Sequence, residues 1–284
     1  MTNVAAAAQV LGIDDEFISR VNRIQARLLP FRVGKFGQLQ EWAEDIDSPE
    51  CNHRHISHTY AVWPGRQITP WKNPELAAAV KQSLLLRGAA HYDACGPDKD
   101  VHTAGNWSLA NRICCWVRLQ DGERANAIFT ELITTAGFQN LCTFQHVPND
   151  YAPSSDNPLN HPDMESTSKE KMIWQVDASM VVPGFIGEML VQTLDETLHL
   201  LPALPKEWES AGSVRRLCAP GGITVDLVWK RGTVTAFQVR SAKERVVAVR
   251  VNGIVQQVRT LPLGGEVAGI SSMSLRTTEP QRQR

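Results

Sequence analysis

The sequence predicts a mainly α protein: a helical domain followed by a small antiparallel, β-sandwich-like domain. Two observations carry this. Up to about residue 195, apolar residues recur at helical spacing in segments separated by short turns and long polar loops. From His199 the pattern changes to short runs with a two-residue period and glycine turns. Ile223, Val225, Leu227 and Trp229 form one such run; Val247, Val249 and Val251 form another. Antiparallel helix pairs, joined alternately by short turns and long functional loops, fit an α/α toroid or barrel. The expected domains are 1–195 and 196–270, with a frayed tail over 271–284.

Each element has its own signal. Residues 3–11 read as a helix. Asp14 and Asp15 start the next, whose stripe is Phe17, Ile18, Val21, Ile24 and Leu28, and Pro30 ends it. A helix from about Pro74 to His91 follows, with proline suited to its first turn. Ser108 is expected to cap a helix over 109–119, with Leu109, Ile113, Trp116 and Val117 inward. Asp121-Gly122 is a short turn to a helix over about 123–136, carrying Ala127, Ile128, Leu132 and Ile133. Residues 143–172 are polar and proline-rich and read as a long loop. Val182, Phe185, Ile186, Met189, Leu190 and Leu194 complete one more helix, with Pro183 near its start.

Composition narrows the function. Over 284 residues, 43% are hydrophobic and 21% charged, as in an ordinary globular chain. The formal net charge of −1 gives no broad attraction to nucleic acid or to an anionic membrane. No run of about eighteen apolar residues predicts a membrane-spanning helix. The first residues lack the basic region of a secretory signal. The six cysteines show no CxxC pairing, and adjacent Cys114 and Cys115 fall in an apolar helical pattern as buried free thiols. Cysteine usage does not fix the compartment, so localisation is left unassigned.

The densest chemistry lies between Gly37 and His58. This stretch carries Glu41, Glu44, Asp45, Asp47 and Glu50 together with Trp42, His53, Arg54, His55 and His58. It reads as a loop lining a polar pocket, with Trp42 as its apolar floor, or as a solvated charged loop. A carboxyl group beside an indole face is partly desolvated, which favours its protonated form. Glu41 therefore fits the general acid of glycosidic cleavage, or a surface glutamate next to a half-buried tryptophan. Asp177, after Ile-Trp-Gln-Val, is either a base or base-activator or the N-cap of a helix beginning at Ala178.

The H-x-H-x-x-H spacing of His53, His55 and His58 is not the i, i+4 pair of the common zinc hydrolases, and no metal or other cofactor is assigned. Hydrogen bonding to a polyhydroxylated ligand or to the carboxylates suits His53 and His58 better, and Arg54 is placed to pair with Asp45 or Asp47. Trp42, Trp107 and Trp174 sit beside polar residues at element junctions, where aromatic faces stack on sugar C–H surfaces. Trp116 and Trp229 read as core.

Several motifs in a fixed order resemble glycoside hydrolase family 95, the inverting α-L-fucosidases. They are GQLQEWAEDID (37–47), HRHISH (53–58), WPGRQITP (63–70), LLLRG (84–88), NWSLANRICCWVRLQDGERA (106–125), WQVDA (174–178), GEMLVQT (187–193), LLPALPKEW (200–208) and GGITVDLVW (221–229). The resemblance covers about residues 8–240. It implies a partial (α/α)6 barrel followed by a β domain, and metal-free hydrolysis of terminal α-L-fucosyl linkages, typically α-1,2, with inversion. Glu41 falls where the family's general acid stands. Asp177 falls where the family has an aspartate that polarises a water-positioning asparagine pair. The implied partner is a fucosylated oligosaccharide or glycan.

Two departures accompany the resemblance. Nothing before Gly37 resembles the family's asparagine-rich motif, so the chain is expected to be a C-terminal portion with weak or no activity alone. Where the family continues D-[GA]-N-x-G, this chain has Asp177-Ala178-Ser179-Met180-Val181. A non-catalytic carbohydrate-binding or structural remnant is the alternative expectation.

Overall fold

The computed structural model describes residues 2–13, 15–51, 53, 55–87, 106–135, 137, 142–148 and 170–263. Among them are six α-helices: α1 (Thr2–Leu11), α2 (Asp15–Gln25), α3 (Pro74–Leu86), α4 (Asn106–Arg118), α5 (Gly122–Thr135) and α6 (Val176–Leu190). Strands β1 (Thr143–Pro148) and β2 (Glu170–Gln175) pair antiparallel between α5 and α6. Eight further strands follow: β3 (Val191–Leu194), β4 (Thr197–Leu200), β5 (Ala211–Ala219), β6 (Ile223–Lys230), β7 (Thr233–Ser241), β8 (Val246–Val251), β9 (Ile254–Arg259) and β10 (Leu261–Pro262).

The strands form two four-stranded sheets, ordered β3-β4-β8-β9 and β10-β7-β6-β5. Neither is purely antiparallel, contrary to expectation. β4 pairs β8 in parallel, and β10 pairs β7 in parallel. The two-residue period survives because it depends on one buried face and not on strand direction. Leu198, Leu200, Val249 and Val251 of one sheet share an apolar core with Ile223, Val225, Leu227 and Val239 of the other.

The helical part has a separate core. Val80 and Leu84 of α3, Ile113, Trp116 and Val117 of α4, Ile128 and Leu132 of α5, and Phe185 and Met189 of α6 converge there. Leu39 and Ile56 of the Gly37–His58 stretch, and Ile68 after it, join them. Cys114 and Cys115 are buried in it. Burial pushes both thiols up, Cys115 to about 11, which keeps them protonated and unreactive.

Several local expectations shift. α2 stops at Gln25, leaving Leu28 57% exposed beyond it; within α2 the predicted stripe buries Val21 alone, so little packing supports a longer helix. α3 ends at Leu86, and residues 88–105 lie outside the described residues. α4 begins at Asn106, so Ser108 is a buried first-turn residue and not a cap. In α5 the inward stripe includes Ala125, while Ile133 faces solvent. The true cap there is Asp121, whose Oδ1 accepts the Arg124 N–H at 3.1 Å. The predicted 143–172 loop has strands at both ends, with 149–169 outside the described residues. α6 runs earlier than predicted, with Pro183 inside it and Leu194 already in β3. The tail over 271–284 also lies outside the described residues.

Several contacts lock the two parts together, among them the buried Gln192 Nε2 donating to the Val117 carbonyl at 2.7 Å. A Cβ on Gly122 would sit 2.4 Å from the Ala203 carbonyl oxygen, so the start of α5 approaches the β part as only glycine allows. Trp71 stacks on His199 at 3.9 Å between ring centroids, and Thr69 donates to Asp195 at 2.5 Å. Burial lowers His199 to about 4, so its imidazole stacks on Trp71 in the neutral form at neutral pH. Trp208 packs against both cores and accepts the Trp229 indole N–H at 2.6 Å.

Near its start the polar stretch is fastened to α3 at Leu39, whose N–H also reaches the Ala79 carbonyl at 3.1 Å. Ser83 Oγ accepts the Leu39 N–H at 2.9 Å and donates to the Leu39 carbonyl at 3.3 Å, all buried. Ser83→Ala strands that carbonyl without a donor. The expected loss is about 1–3 kcal/mol, seen as a lower urea midpoint with an unchanged slope.

Candidate active site

The stretch that begins at Gly34 folds on itself before it reaches Glu41. The Gly34 N–H donates to the Gln38 carbonyl at 2.7 Å, and Gln40 N–H to the Arg32 carbonyl at 2.9 Å. Gly37 makes the reversal at φ +75°, which glycine adopts without strain. The Gln38 side chain is the hub. Its oxygen accepts the Phe36 N–H at 2.9 Å, and its nitrogen donates to Asp45 and Asp47, each at 3.2 Å. Two of the five carboxylates are thus spent on holding the loop. Asp47 Oδ2 also accepts the Glu41 N–H at 3.3 Å, which fixes the backbone of the candidate acid. Glu44 and Glu50 face solvent, so the stretch is part pocket wall and part charged surface.

Glu41 points inward. Its side chain is 13% exposed, and that of Arg87, at the C-cap of α3, is 9% exposed. Arg87 Nη2 donates to Glu41 Oε2 at 2.5 Å, and Arg87 Nη1 donates to the His55 carbonyl at 2.9 Å. The Ser57 hydroxyl donates to Glu41 Oε1 at 3.1 Å, and His58 Nδ1 lies 3.9 Å from the same oxygen. Burial alone would push the Glu41 carboxyl up. The Arg87 hydrogen bond and charge, aided by His58 and Ser57, outweigh it and hold the group below its ordinary 4.5.

The tryptophan-based expectation is therefore corrected. Trp42 is 57% exposed and forms the rim of the cavity, not its floor. Desolvation does act on Glu41, but it comes from the protein body, and the guanidinium reverses its effect.

The cavity beside Glu41 measures about 290 Å³ and is lined by Phe31, Trp42, Ser57, His58 and Tyr60 among others. That is room for a monosaccharide-sized ligand with aromatic and hydroxyl contacts. The other predicted residues are reached through His55. The His53 ring stacks on His55 at 4.7 Å, and His55 meets Trp107 at 4.8 Å. The Trp107 N–H donates to Gln175 Oε1 at 3.3 Å, one step before α6. A continuous path thus joins Glu41, Arg87, His55, Trp107 and Gln175.

Trp174 is 61% exposed on β2, away from this packing. Asp177 is exposed in the first turn of α6, whose N-cap is Gln175, so the capping reading of Asp177 does not hold. Arg54 lies outside the described residues. Among the described residues, no three His, Cys, Asp or Glu side chains gather as a metal site.

Sequence reasoning missed Arg87, Ser57 and Tyr60. Arg87 had a usable signal. It follows Val80, Ser83 and Leu84 on the inward stripe of α3, and a guanidinium on a buried face requires a carboxylate. Its partner, 46 positions earlier, has no local signature.

Glu41→Gln removes the nearer of the two carboxylates that face the buried Arg87 guanidinium. At pH 7 the expected loss of stability is of the order of 3 kcal/mol. Because the folded carboxyl titrates below 4.5, the advantage of Glu over Gln is complete above that value and fades as pH falls through the lower folded one. Urea unfolding of both proteins at pH 7 and at a series of pH values below 4.5 checks the convergence.

Comparison with known proteins gives the family of the chain. The model of the glycosyl hydrolase family 95 catalytic domain matches residues 1–190, and that of the family's C-terminal domain matches 192–279. "Alpha-L-fucosidase 2" of Arabidopsis thaliana is 33% identical over 268 residues, covering 92% of this chain and 28% of the relative. "Probable alpha-fucosidase A" of Aspergillus oryzae is 27% identical over 275 residues, covering 89% of this chain and 34% of the relative. Its namesake in Aspergillus niger is 28% identical over 253 residues, covering 84% and 27%. The chain spans about a third or less of the length of these relatives. With its helical catalytic part and its β part both matched, the chain belongs to glycoside hydrolase family 95.

Proposed function

We propose that this chain carries the proton-donating wall of a site that hydrolyses terminal α-L-fucosyl linkages, of the α-1,2 type, with inversion. The observation that supports it most is Glu41, an inward carboxyl held by Arg87 and Ser57 beside a cavity of about 290 Å³. The names of the relatives supply the sugar. The helices are read as part of an (α/α)6 toroid.

The chemistry assigns one role to each group. Glu41 gives its proton to the departing glycosidic oxygen. Burial is already the largest influence on this carboxyl, and a sugar filling the cavity deepens it. Bound ligand thus moves Glu41 toward the protonated form that an acid needs. Trp42 and Tyr60 offer faces for sugar C–H surfaces, and His58 lies against the acid. Trp107 and His53 stiffen the wall through His55, and Trp174 offers an exposed aromatic face. Asp177 is assigned to the base side of the reaction.

A second reading, sugar binding without turnover, is favoured by the exposure of Asp177 and by Ser179 standing where the family pattern has asparagine. Inversion needs acid and base together, and removal of one side costs orders of magnitude in rate. The expected result is that the chain binds L-fucose by calorimetry but releases little or none from 2'-fucosyllactose. Release that disappears in a folded Glu41→Gln protein would establish the full activity. Absence of both binding and release would overturn the fucoside reading.

A further inference from the structure

Four ionisable side chains meet at Glu41, from three parts of the chain. Glu41 and Asp47 come from the polar stretch, His58 from the short helical turn at Ser57–Ala61, and Arg87 from the end of α3. Arg87 Nη2 lies 2.5 Å from Glu41 Oε2 and 4.0 Å from Asp47 Oδ1. The guanidinium therefore has a second anchor and need not leave when Glu41 becomes neutral. Two carboxylates against one guanidinium leave an excess negative charge at Glu41. Arg112 on α4 acts on His58 with the opposite sign.

His58 is the odd member. Its side chain is 5% exposed, and its Nδ1 is buried with no hydrogen-bond partner. That nitrogen lies 3.9 Å from Glu41 Oε1, just beyond hydrogen-bonding range. A buried ring nitrogen left unsatisfied is costly unless a proton and a partner become available to it. The partner is already in place.

We propose that Glu41 and His58 form one proton-sharing pair, with Arg87 as the positioning residue that keeps Glu41 a carboxylate until the pair takes up its proton. The proton enters at the His58 imidazole, which borders the cavity, and forms the imidazolium. Nδ1–H then passes it to Glu41 Oε1, leaving a neutral imidazole and a neutral carboxyl. Arg87 stays between His55 and Asp47 as Glu41 Oε2 is freed. The directions of both groups fit: burial lowers His58 while the neighbouring carboxylates raise it, and Arg87 opposes protonation of both partners.

This inference rests on Glu41 being the acid for its purpose, but not for its test. In the full chain, the Glu41 carboxyl carbon and the His58 ring nitrogens are followed by NMR against pH, without sugar. The expected result is two shared steps, each visible in both residues. His58→Gln must turn the Glu41 curve into a single step. Arg87→Gln must move the Glu41 titration upward, while Arg87→Lys, which keeps the charge, must leave it low. If Arg87→Gln does not fold, His58→Gln and Arg87→Lys still decide. Independent single-step curves in the native chain would overturn the pair, as would a Glu41 curve unchanged by His58→Gln. A folded Arg87→Gln protein with an unmoved Glu41 would overturn the role of Arg87. Shared titration without L-fucose binding would leave the pair standing and remove the fucoside reading.

Discussion

A guanidinium sealed inside a protein needs a counter-charge, and the placement of Arg87 makes Glu41 that counter-charge. Much of the surrounding architecture serves this contact. α3 must end where it does for Arg87 to reach past the core. Ser83, one turn earlier, clamps Leu39 so that Glu41 arrives at the right height. Gln38, Asp45 and Asp47 close the loop so that the Glu41 backbone cannot swing away. The second guanidinium nitrogen binds the His55 carbonyl and carries the constraint onward to Trp107 and the start of α6.

The same contact sets the chemistry. Burial and charge act on Glu41 in opposite directions, and in the free protein charge prevails. A ligand that excludes water strengthens the burial side, so the balance is one that binding can tip. This differs from an acid kept neutral by an apolar pocket alone, where no opposite charge has to be overcome. The β part contributes at a distance. Its hold on Gly122, Trp71 and Thr69 braces the helical part through residues outside the cavity lining.

Much of the fold was legible in the chain because it depends on local repetition. The stripe of α4, with Ile113, Trp116 and Val117, and the alternation of β6 each follow from burying one face. Errors gathered where a partner outside the segment decides. α2 is short because little packs against it. The ends of the long polar loop are strands because each is the other's pairing partner. The sheets are mixed because β4 finds β8, about fifty positions later, which no alternation of side chains records.

The site divides along the same line. Residue types and order alone marked Glu41 as the candidate acid, offered His58 as a hydrogen-bonding partner of ligand or carboxylates, and identified the family through its spaced motifs. Those are properties of the chain that folding does not change. The charge state of Glu41, the rim position of Trp42 and the pairing with Arg87 are not such properties. They depend on distances between residues far apart in sequence, and electrostatic energy follows distance in space.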